Sequence, residues 1–253
     1  TPVSTPSFTS DPVGVEILHA DRSIATQKSV AVVIDNLSAG ATPGDTLEYT
    51  INFQISDYFK FGTLTLQDVF TDGQLLTGTP TLTITKDGAS LGTQNFTLAG
   101  NVTDTVIVGD DHQLDFNISS LLVSGFSVMD GALAGGRFNV ADNTGSRGTI
   151  TYRTVIQNTF VSPALSGDSQ VNQGDTLINS VVVRGQVIQS DTTLGAFVTD
   201  TSSASTTIVG SNLQLALVEI NGDGSAPALA NGIRATDLVT YKLTYNLGTT
   251  EFE

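Results

Sequence analysis

Residues 63–70 have the sequence TLTLQDVF, in which Leu64, Leu66 and Asp68 occupy every second position. Side chains alternate between the two faces of a β-strand, so this spacing places Asp68 on the same face as the two leucines. An aspartate on a face that turns toward the core must find a partner, because an unpaired buried charge is costly. The stretch therefore predicts a β-strand and a buried polar site around Asp68.

Two other strand-like runs carry one polar residue on an apolar face in the same way. Lys28 shares its face with the apolar residues at positions 30, 32 and 34, and Asn179 shares its face with those at 177, 181 and 183. If these side chains meet Asp68, the lysine amine can attack the asparagine carboxamide, ammonia leaves, and an amide bond joins the first strand of the domain to the last. We expect Lys28 and Asn179 to form this cross-link and Asp68 to serve as its acid and base.

The predicted reaction depends on where the lysine proton resides. Burial disfavours charge, so it lowers the pKa of a lysine and raises the pKa of an aspartate. A proton held by Asp68 leaves the Lys28 amine able to attack, and lets Asp68 hydrogen-bond the Asn179 carbonyl and pass protons to the departing ammonia. The chain would act once, on itself, and would not be an enzyme with turnover. In the alternative, Lys28 extends to solvent, Asp68 closes a turn and Asn179 caps a strand end, as three unrelated events.

Glu48 is the competing acid, since it also lies in a predicted strand. Its positional neighbours are Thr46, Thr50 and Asn52, whereas the apolar residues of that strand occupy the other face. We therefore expect Glu48 to face solvent.

Composition excludes several classes of function. The 253 residues carry a formal net charge of -15 with only 10 Lys and Arg, so the chain can neutralise few phosphates and we expect no nucleic-acid partner. The same charge repels anionic membranes and the apolar runs are strand-sized, so we expect no membrane-embedded segment. The absence of cysteine excludes disulfides, thiol nucleophiles and thiolate metal sites. An acidic, cysteine-free chain rich in Thr, Ser, Asn and Gly is typical of exported bacterial surface proteins.

Period-two alternation recurs along the chain while helical periodicity is nearly absent, which predicts an all-β sandwich. We expect an extended leader or linker at residues 1–24, one sandwich domain at 25–185, a linker at 186–204, and an incomplete second β module at 205–253. Besides the runs already described, the predicted strands are LEYTINF (47–53), TLTIT (81–85), TITYRTVI (149–156), LQLALVEI (213–220) and LVTYKLTYNL (238–247). One stretch, SSLLVSGFSVM (119–129), is ambiguous between a short helix and a bent strand.

The last part of the chain contains a partial internal repeat. ATPGDTLEYTINF at 41–53 resembles IRATDLVTYKLTY at 233–245, and an apolar strand precedes each copy. The second copy has no counterpart of TLTLQDVF, and half a sandwich cannot bury its own face. Residues 205–253 therefore either begin a second, truncated module or donate their strands to a neighbouring subunit, which would make a filament. No lysine accompanies LQLALV (213–218), the apolar strand that precedes the second copy, so we expect no cross-link there.

Five motifs in this order, TQKSVAV, ATPGDTLEYTINF, LTLQDVFTDG, GTITYRTVI and GDTLINSVVV, resemble a group of bacterial surface domains. These are the fimbrial isopeptide-forming and collagen-adhesin-type domains, together with the related conserved-repeat family of long surface proteins. The resemblance covers about residues 25–185. It implies an immunoglobulin-like β-sandwich of the kind found in tandem in adhesins, pili and stalks, with Lys28, Asp68 and Asn179 at the cross-linking positions.

These observations predict a structural module of an extracellular stalk, adhesin or filament on the bacterial cell surface, joined to tandem modules or to copies of itself. The alternative is an adhesin module that binds a glycan or protein, such as a host surface ligand, through loops at residues 86–112 or 129–148. An enzyme such as a glycosidase would need two converging carboxylates, and no such pair stands out.

We expect no cofactor, although acidic loops offer oxygen ligands for calcium. None of them matches the twelve-residue calcium-binding loop, and turn chemistry explains them as well. They are Asp110 with Asp111, Asp142 with Asn143, and Asn221 with Asp223.

Overall fold

The computed structural model of the chain describes residues 22–36, 40–86, 88–138, 145–162, 169–189, 192–209, 213–220 and 236–245. Within these segments the chain forms thirteen β-strands and one short helix. The strands are β1 (Ile24–Ile34), β2 (Thr46–Ile55), β3 (Lys60–Phe70), β4 (Gln74–Lys86), β5 (Ala89–Asn95), β6 (Val102–Val106), β7 (His112–Asn117), β8 (Leu133–Ala134), β9 (Arg147–Ile156), β10 (Thr176–Ile188), β11 (Leu194–Thr207), β12 (Leu213–Ile220) and β13 (Val239–Tyr245). The helix is α1 (Ile118–Phe126).

Two antiparallel sheets form a β-sandwich. Sheet I has the strand order β1-β2-β9-β4-β5, and sheet II has the order β11-β10-β3-β7-β6, with the two-residue β8 paired to β3. The inward-facing apolar residues of both sheets join in one hydrophobic core. The sandwich predicted from the alternating sequence pattern is therefore confirmed.

Strand β3 carries the TLTLQDVF motif and lies between β10 and β7 in sheet II. From Gly62 onward its buried positions alternate with positions that are exposed or half-buried. Asp68 takes its place in the buried series, which consists of Leu64, Leu66, Asp68 and Phe70, each at most 1% exposed. A carboxylate is thus held inside the core by the same alternation that buries the leucines.

The two sheets meet along one side of the sandwich, where β1 and β11 run in the same direction. The N–H of Thr26 donates to the Asp200 carboxylate over 2.7 Å, and the N–H of Lys28 donates to the Ser202 hydroxyl over 3.0 Å. Side chains of β11 thus provide the acceptors that a further backbone strand would otherwise offer to the free edge of β1. This seam, the pair of hydrogen bonds from Thr26 and Lys28 of β1 to Asp200 and Ser202 of β11, fixes the position of Lys28 along the strand direction relative to sheet II.

Two turns of the same form precede β2 and β10 and hold strand ends together. One ends in Gly44 and Asp45 and the other in Gly174 and Asp175, and both glycines have positive φ, 93° and 97°. In each turn the aspartate carboxylate accepts a backbone N–H three residues earlier. The glycine N–H groups then donate to the ends of β9 and of the segment after β11. The positive φ requires glycine, because a Cβ there would be strained.

Residues 118–126 form the helix α1, which resolves the ambiguity in that part of the sequence. The Asn117 side chain caps the helix by accepting from the Ser120 N–H over 2.9 Å, which satisfies one of the free donors of the first turn. Ser127, in the left-handed conformation, ends it. The buried side of α1 consists of Ile118, Leu121 and Leu122, so the helix packs on the core.

The predicted linker at residues 186–204 is wrong. Residues 186–188 complete β10, and β11 pairs with β10 along most of its length, so the sandwich extends to about residue 207. The sequence concealed β11 because it is an edge strand with no fully buried side chain, and most of its second half is small polar residues. Of the predicted leader, residues 1–21 lie outside the described residues, and Ile24 already belongs to β1.

Beyond the sandwich, β12 and β13 form an antiparallel hairpin. These strands are the second copy of the sequence repeat, and in the first copy β1 and β2 also pair antiparallel. The two predicted roles of this hairpin, as the start of a second module or as strands that complete a neighbouring copy, stay predictions. Within the described segments, no helix has the length and apolar character needed to span a membrane.

Candidate functional site

Strands from both sheets bring Lys28, Asp68 and Asn179 into one buried site. Lys28 lies on β1 of sheet I, while Asp68 and Asn179 lie on the adjacent strands β3 and β10 of sheet II. Asp68 is opposite Val181, so Asn179, two residues along β10, is its diagonal neighbour on the same face. Counted over the whole residue, backbone included, Lys28 is 6% exposed, and Asp68 and Asn179 are 0% exposed. The three predicted residues are therefore close together and shielded from water.

Lys28 and Asp68 form a buried ion pair. Lys28 Nζ donates to Asp68 Oδ1, and neither side chain has any exposed surface. The lysine nitrogen also lies 5.0 Å from the ring centroid of Tyr49 and 5.5 Å from that of Tyr152. The carboxylate and the two aromatic faces together offset part of the cost of removing the amine from water.

The hydroxyl of Tyr152, on β9, connects all three predicted residues. It donates to Asp68 Oδ2 over 2.6 Å, lies 3.4 Å from Lys28 Nζ, and accepts a hydrogen bond from Asn179 Nδ2. Sequence reasoning missed Tyr152 because packing alone explains an aromatic ring at an inward position of TITYRTVI. The available signal was that a tyrosine hydroxyl in a core needs a polar partner.

Aromatic packing fixes the position of this hydroxyl. The Tyr152 ring stacks on Tyr49 with 5.3 Å between centroids, and Phe70 and Phe116 lie 6.3 and 6.2 Å away. The Tyr49 hydroxyl is itself bound elsewhere, donating to Gln74 Oε1 over 2.7 Å. The two tyrosines therefore share one stack and both interact with Asn179, but only the Tyr152 hydroxyl donates to Asp68.

Burial shifts the lysine and the aspartate toward their neutral forms. Desolvation lowers the pKa of Lys28 from 10.5 to about 8, against the opposing influence of the Asp68 charge and hydrogen bond. Desolvation also raises the pKa of Asp68, which Lys28 and Tyr152 oppose. Desolvation and the Asp68 charge raise the pKa of Tyr152, so its hydroxyl retains its proton. Transfer of the proton from Lys28 to Asp68 removes both buried charges and is favoured by the same desolvation.

The Asn179 carboxamide is bound differently from the sequence expectation. Asp68 was expected to hydrogen-bond the Asn179 carbonyl, and this is wrong: its two oxygens bind Lys28 and Tyr152. The carboxamide contacts the carboxyl only through the tyrosine hydroxyl. Asn179 Oδ1 is buried and has no hydrogen-bond partner among the described residues. The carbonyl oxygen on the carbon that a nucleophile would attack therefore has no hydrogen-bond donor among the described residues, and a reaction here must proceed without one.

Glu48 lies outside this site, on the outer face of sheet I. Its carboxylate forms an ion pair with the Arg153 guanidinium, with 2.8 Å between Glu48 Oε2 and either Nε or Nη2. In β2, Glu48 and the buried Tyr49 are adjacent, so their side chains lie on opposite faces of the strand, as the sequence pattern indicates.

The acidic loops considered for calcium are partly described. Asp110 accepts from the Ser162 hydroxyl, and Asp111 accepts from the Asp72 N–H over 2.9 Å, so both carboxylates tie loops together. The other two candidate loops, with Asp142 and Asn221, lie outside the described residues. In the part of the chain that the structure describes, no three His, Cys, Asp or Glu residues are grouped as metal ligands.

Comparisons with known proteins found no matching family model and no matching curated protein. Among solved structures, the chain is similar to the T6 backbone pilin of serotype M6 Streptococcus pyogenes, at 13% identity and a TM-score of 0.37, over 80% of this chain and 39% of that one. It is similar to the full-length major pilin SpaD from Corynebacterium diphtheriae at 11% identity and a TM-score of 0.38, over 79% and 38%. It is also similar to the full-length major pilin RrgB from Streptococcus pneumoniae at 12% identity and a TM-score of 0.38, over 89% of this chain and 44% of that one. The chain spans less than half the length of these pilins, and likeness at this level assigns no function.

The low pKa of Lys28 predicts an unusual dependence of stability on pH. In Asn179→Ala, which keeps the Lys28 amine but has no carboxamide, the unfolded chain binds a proton between about pH 8 and 10.5 that the folded chain lacks. The free energy of unfolding should therefore rise with pH across this window, by at most about 1.4 kcal/mol per pH unit. Chemical denaturation at constant ionic strength measures it.

The matched control is the double variant Asn179→Ala with Lys28→Met, which lacks the titrating amine. Relative to this control, the single variant should gain stability as the pH rises from 8 to 10. Parallel pH profiles for the two variants would contradict the desolvation of Lys28.

Proposed function

We propose that this chain is a structural module of an extracellular bacterial filament, stalk or adhesin that ties itself with an amide bond between Lys28 and Asn179. The observation that carries the proposal is that an amine, a carboxyl and a carboxamide share one dry site around one tyrosine hydroxyl. Buried ion pairs often contribute less to stability than apolar residues of the same volume. A chemical role accounts for keeping these three residues in the core.

The proposed reaction is a transfer of the Asn179 acyl group from ammonia to lysine. The neutral Lys28 amine attacks Asn179 Cγ, and the carbonyl electrons move to Oδ1. The lysine nitrogen then gives a proton to the Asp68 carboxyl, the leaving nitrogen gains one, the Cγ–Nδ2 bond breaks, and ammonia departs. Asp68 acts as the acid and base, and ends with as many protons as it began with. The chain undergoes this reaction once.

Two features of the site support this chemistry. Desolvation favours the neutral amine that the attack requires, because it lowers the pKa of Lys28 to about 8. The strand scaffold also holds the groups in contact, and proximity of this kind replaces a large part of the barrier of a slow bimolecular reaction.

The tie would join β1 to β10, the penultimate strand of the sandwich, because β11 follows it. Load entering at the start of β1 would pass through the amide bond and bypass residues 29–178. The hairpin of β10 and β11 stays in the load path, so its backbone ladder and the seam with β1 resist the force. A cell-surface module in a chain of tandem modules or copies of itself is where such a tie has mechanical value.

The intact mass of the purified protein tests the proposal. We expect a deficit of one ammonia relative to the sequence, and Lys28→Ala, Asp68→Ala and Asn179→Ala should each restore the full mass. Loss of the tie should also reduce the free energy of unfolding by about 5 kcal/mol, the chain-entropy value for closing a loop of this size. Mass spectrometry and thermal denaturation measure the two effects.

The matched control is Lys60→Ala, which removes a lysine whose ion pair with Asp130 is partly exposed. This variant should keep the mass deficit and lose at most about 1 kcal/mol. A full mass for the unchanged protein would refute the proposed bond directly.

Force spectroscopy tests the mechanical role separately. In tandem copies pulled from their ends, the bond would keep residues 29–178 from extending. The contour length gained per copy should therefore be shorter than in Asn179→Ala by about 500 Å, taking about 3.4 Å for each of these residues. Equal increments in the two proteins would show that the load path does not cross the proposed tie.

A further inference from the structure

We propose that Tyr152 is a catalytic residue of the cross-linking reaction, carrying a proton from the Asp68 carboxyl to the departing nitrogen of Asn179. This inference rests on the proposed function and assigns a role that neither the lysine, the aspartate nor the asparagine can fill. Its basis is the position of the Tyr152 hydroxyl, which donates to Asp68 Oδ2 over 2.6 Å and accepts from Asn179 Nδ2.

The reaction needs a proton path between two groups that do not touch. After the attack the lysine nitrogen gives its surplus proton to Asp68 Oδ1, but the nitrogen that must gain a proton belongs to Asn179. Among the described residues, neither oxygen of Asp68 hydrogen-bonds the carboxamide, and both have other partners. The Tyr152 hydroxyl is the bridge between them.

A hydroxyl is suited to this relay because it has one proton to donate and two lone pairs to accept. Before the attack, the Lys28 proton passes through the Tyr152 hydroxyl, which lies 3.4 Å from Nζ and donates to Asp68 Oδ2, so the carboxyl carries its proton on Oδ2. As the Cγ–Nδ2 bond breaks, Tyr152 gives its proton to Nδ2 and takes this proton from Asp68 Oδ2. Asp68 is reprotonated at Oδ1 by the lysine nitrogen. Tyr152 and Asp68 both end unchanged, one proton has moved from lysine to ammonia, and the amide carbonyl is restored.

Protonation of the leaving group matters more here than stabilisation of the carbonyl oxygen. Asn179 Oδ1 has no hydrogen-bond donor in the described part of the chain, so no preformed donor awaits the negative charge that develops on it. The intermediate must then collapse quickly toward product. Without a proton the nitrogen would have to leave as a strongly basic amide anion, so it departs only once it is protonated, which places the main demand on Tyr152.

The site also holds the hydroxyl in place without help from the reacting groups. The ring is 2% exposed, stacks on Tyr49, and lies within 6.3 Å of Phe70 and 6.2 Å of Phe116. A phenylalanine at this position keeps these ring contacts and removes only the relay atom. The substitution therefore separates proton transfer from packing.

The experiment follows ammonia loss over time by intact mass, starting from chains made in a short pulse of cell-free synthesis. Tyr152→Phe should fold, as judged by circular dichroism, and should lose ammonia at least about 100-fold more slowly than the unchanged chain, the usual scale of one general acid. The control is Tyr58→Phe, which removes a tyrosine hydroxyl outside the site. That hydroxyl accepts from Arg137 Nη1 over 2.8 Å, so the rate should stay within a few-fold of the unchanged chain.

The outcomes separate this inference from the proposed function. If the unchanged chain loses ammonia and folded Tyr152→Phe does so at the same rate, the relay is overturned and the proposed bond stands. If the unchanged chain never loses ammonia, the proposed function fails and the relay with it. If Tyr152→Phe does not fold, 3-fluorotyrosine in place of Tyr152 keeps the hydroxyl and makes it more acidic, and an unchanged rate of ammonia loss would overturn the relay.

Discussion

The removal of Lys28 from water is the constraint on which the rest of the site depends. A charged amine inside a sandwich is stable only beside an opposite charge, and the Asp68 carboxylate, equally buried, supplies it. Desolvation works against both charges at once and lowers the pKa of the lysine to about 8. The same desolvation therefore favours the proton transfer that removes both charges and leaves a nucleophile beside a carboxamide.

The sequence predicted much of this arrangement because a β-strand converts alternation into direction. Lys28, Asp68 and Asn179 each interrupt an apolar face, and a polar residue at such a position can be inferred to need a partner. Alternation along a strand shows which face a side chain lies on, but not which strands of the opposite sheet it meets. The bridging position of Tyr152 could therefore not be predicted from the sequence. A tyrosine on an apolar face looks like packing, and its hydroxyl acquires meaning only when three distant segments converge on it.

The edge of the sandwich was harder to predict than its core. Strand β11 buries no side chain fully, and its role is to offer Asp200 and Ser202 to the backbone of β1. Hydrogen bonds of this kind produce no periodic pattern in a sequence, which is why the sequence predicts a linker where the strand lies. Its presence changes the mechanical picture, since the proposed tie spans β1 and β10 and leaves one hairpin under load.

Peptide mapping after digestion with trypsin tests the central claim most directly. An amide at Lys28 blocks cleavage there, so the account predicts one branched peptide in which residues 23–60 are joined to residues 154–184 through side chains 28 and 179, lighter by one ammonia. Fragment ions should locate the branch at these two residues. Separate linear peptides 23–28, 29–60 and 154–184 at their full masses would contradict the account.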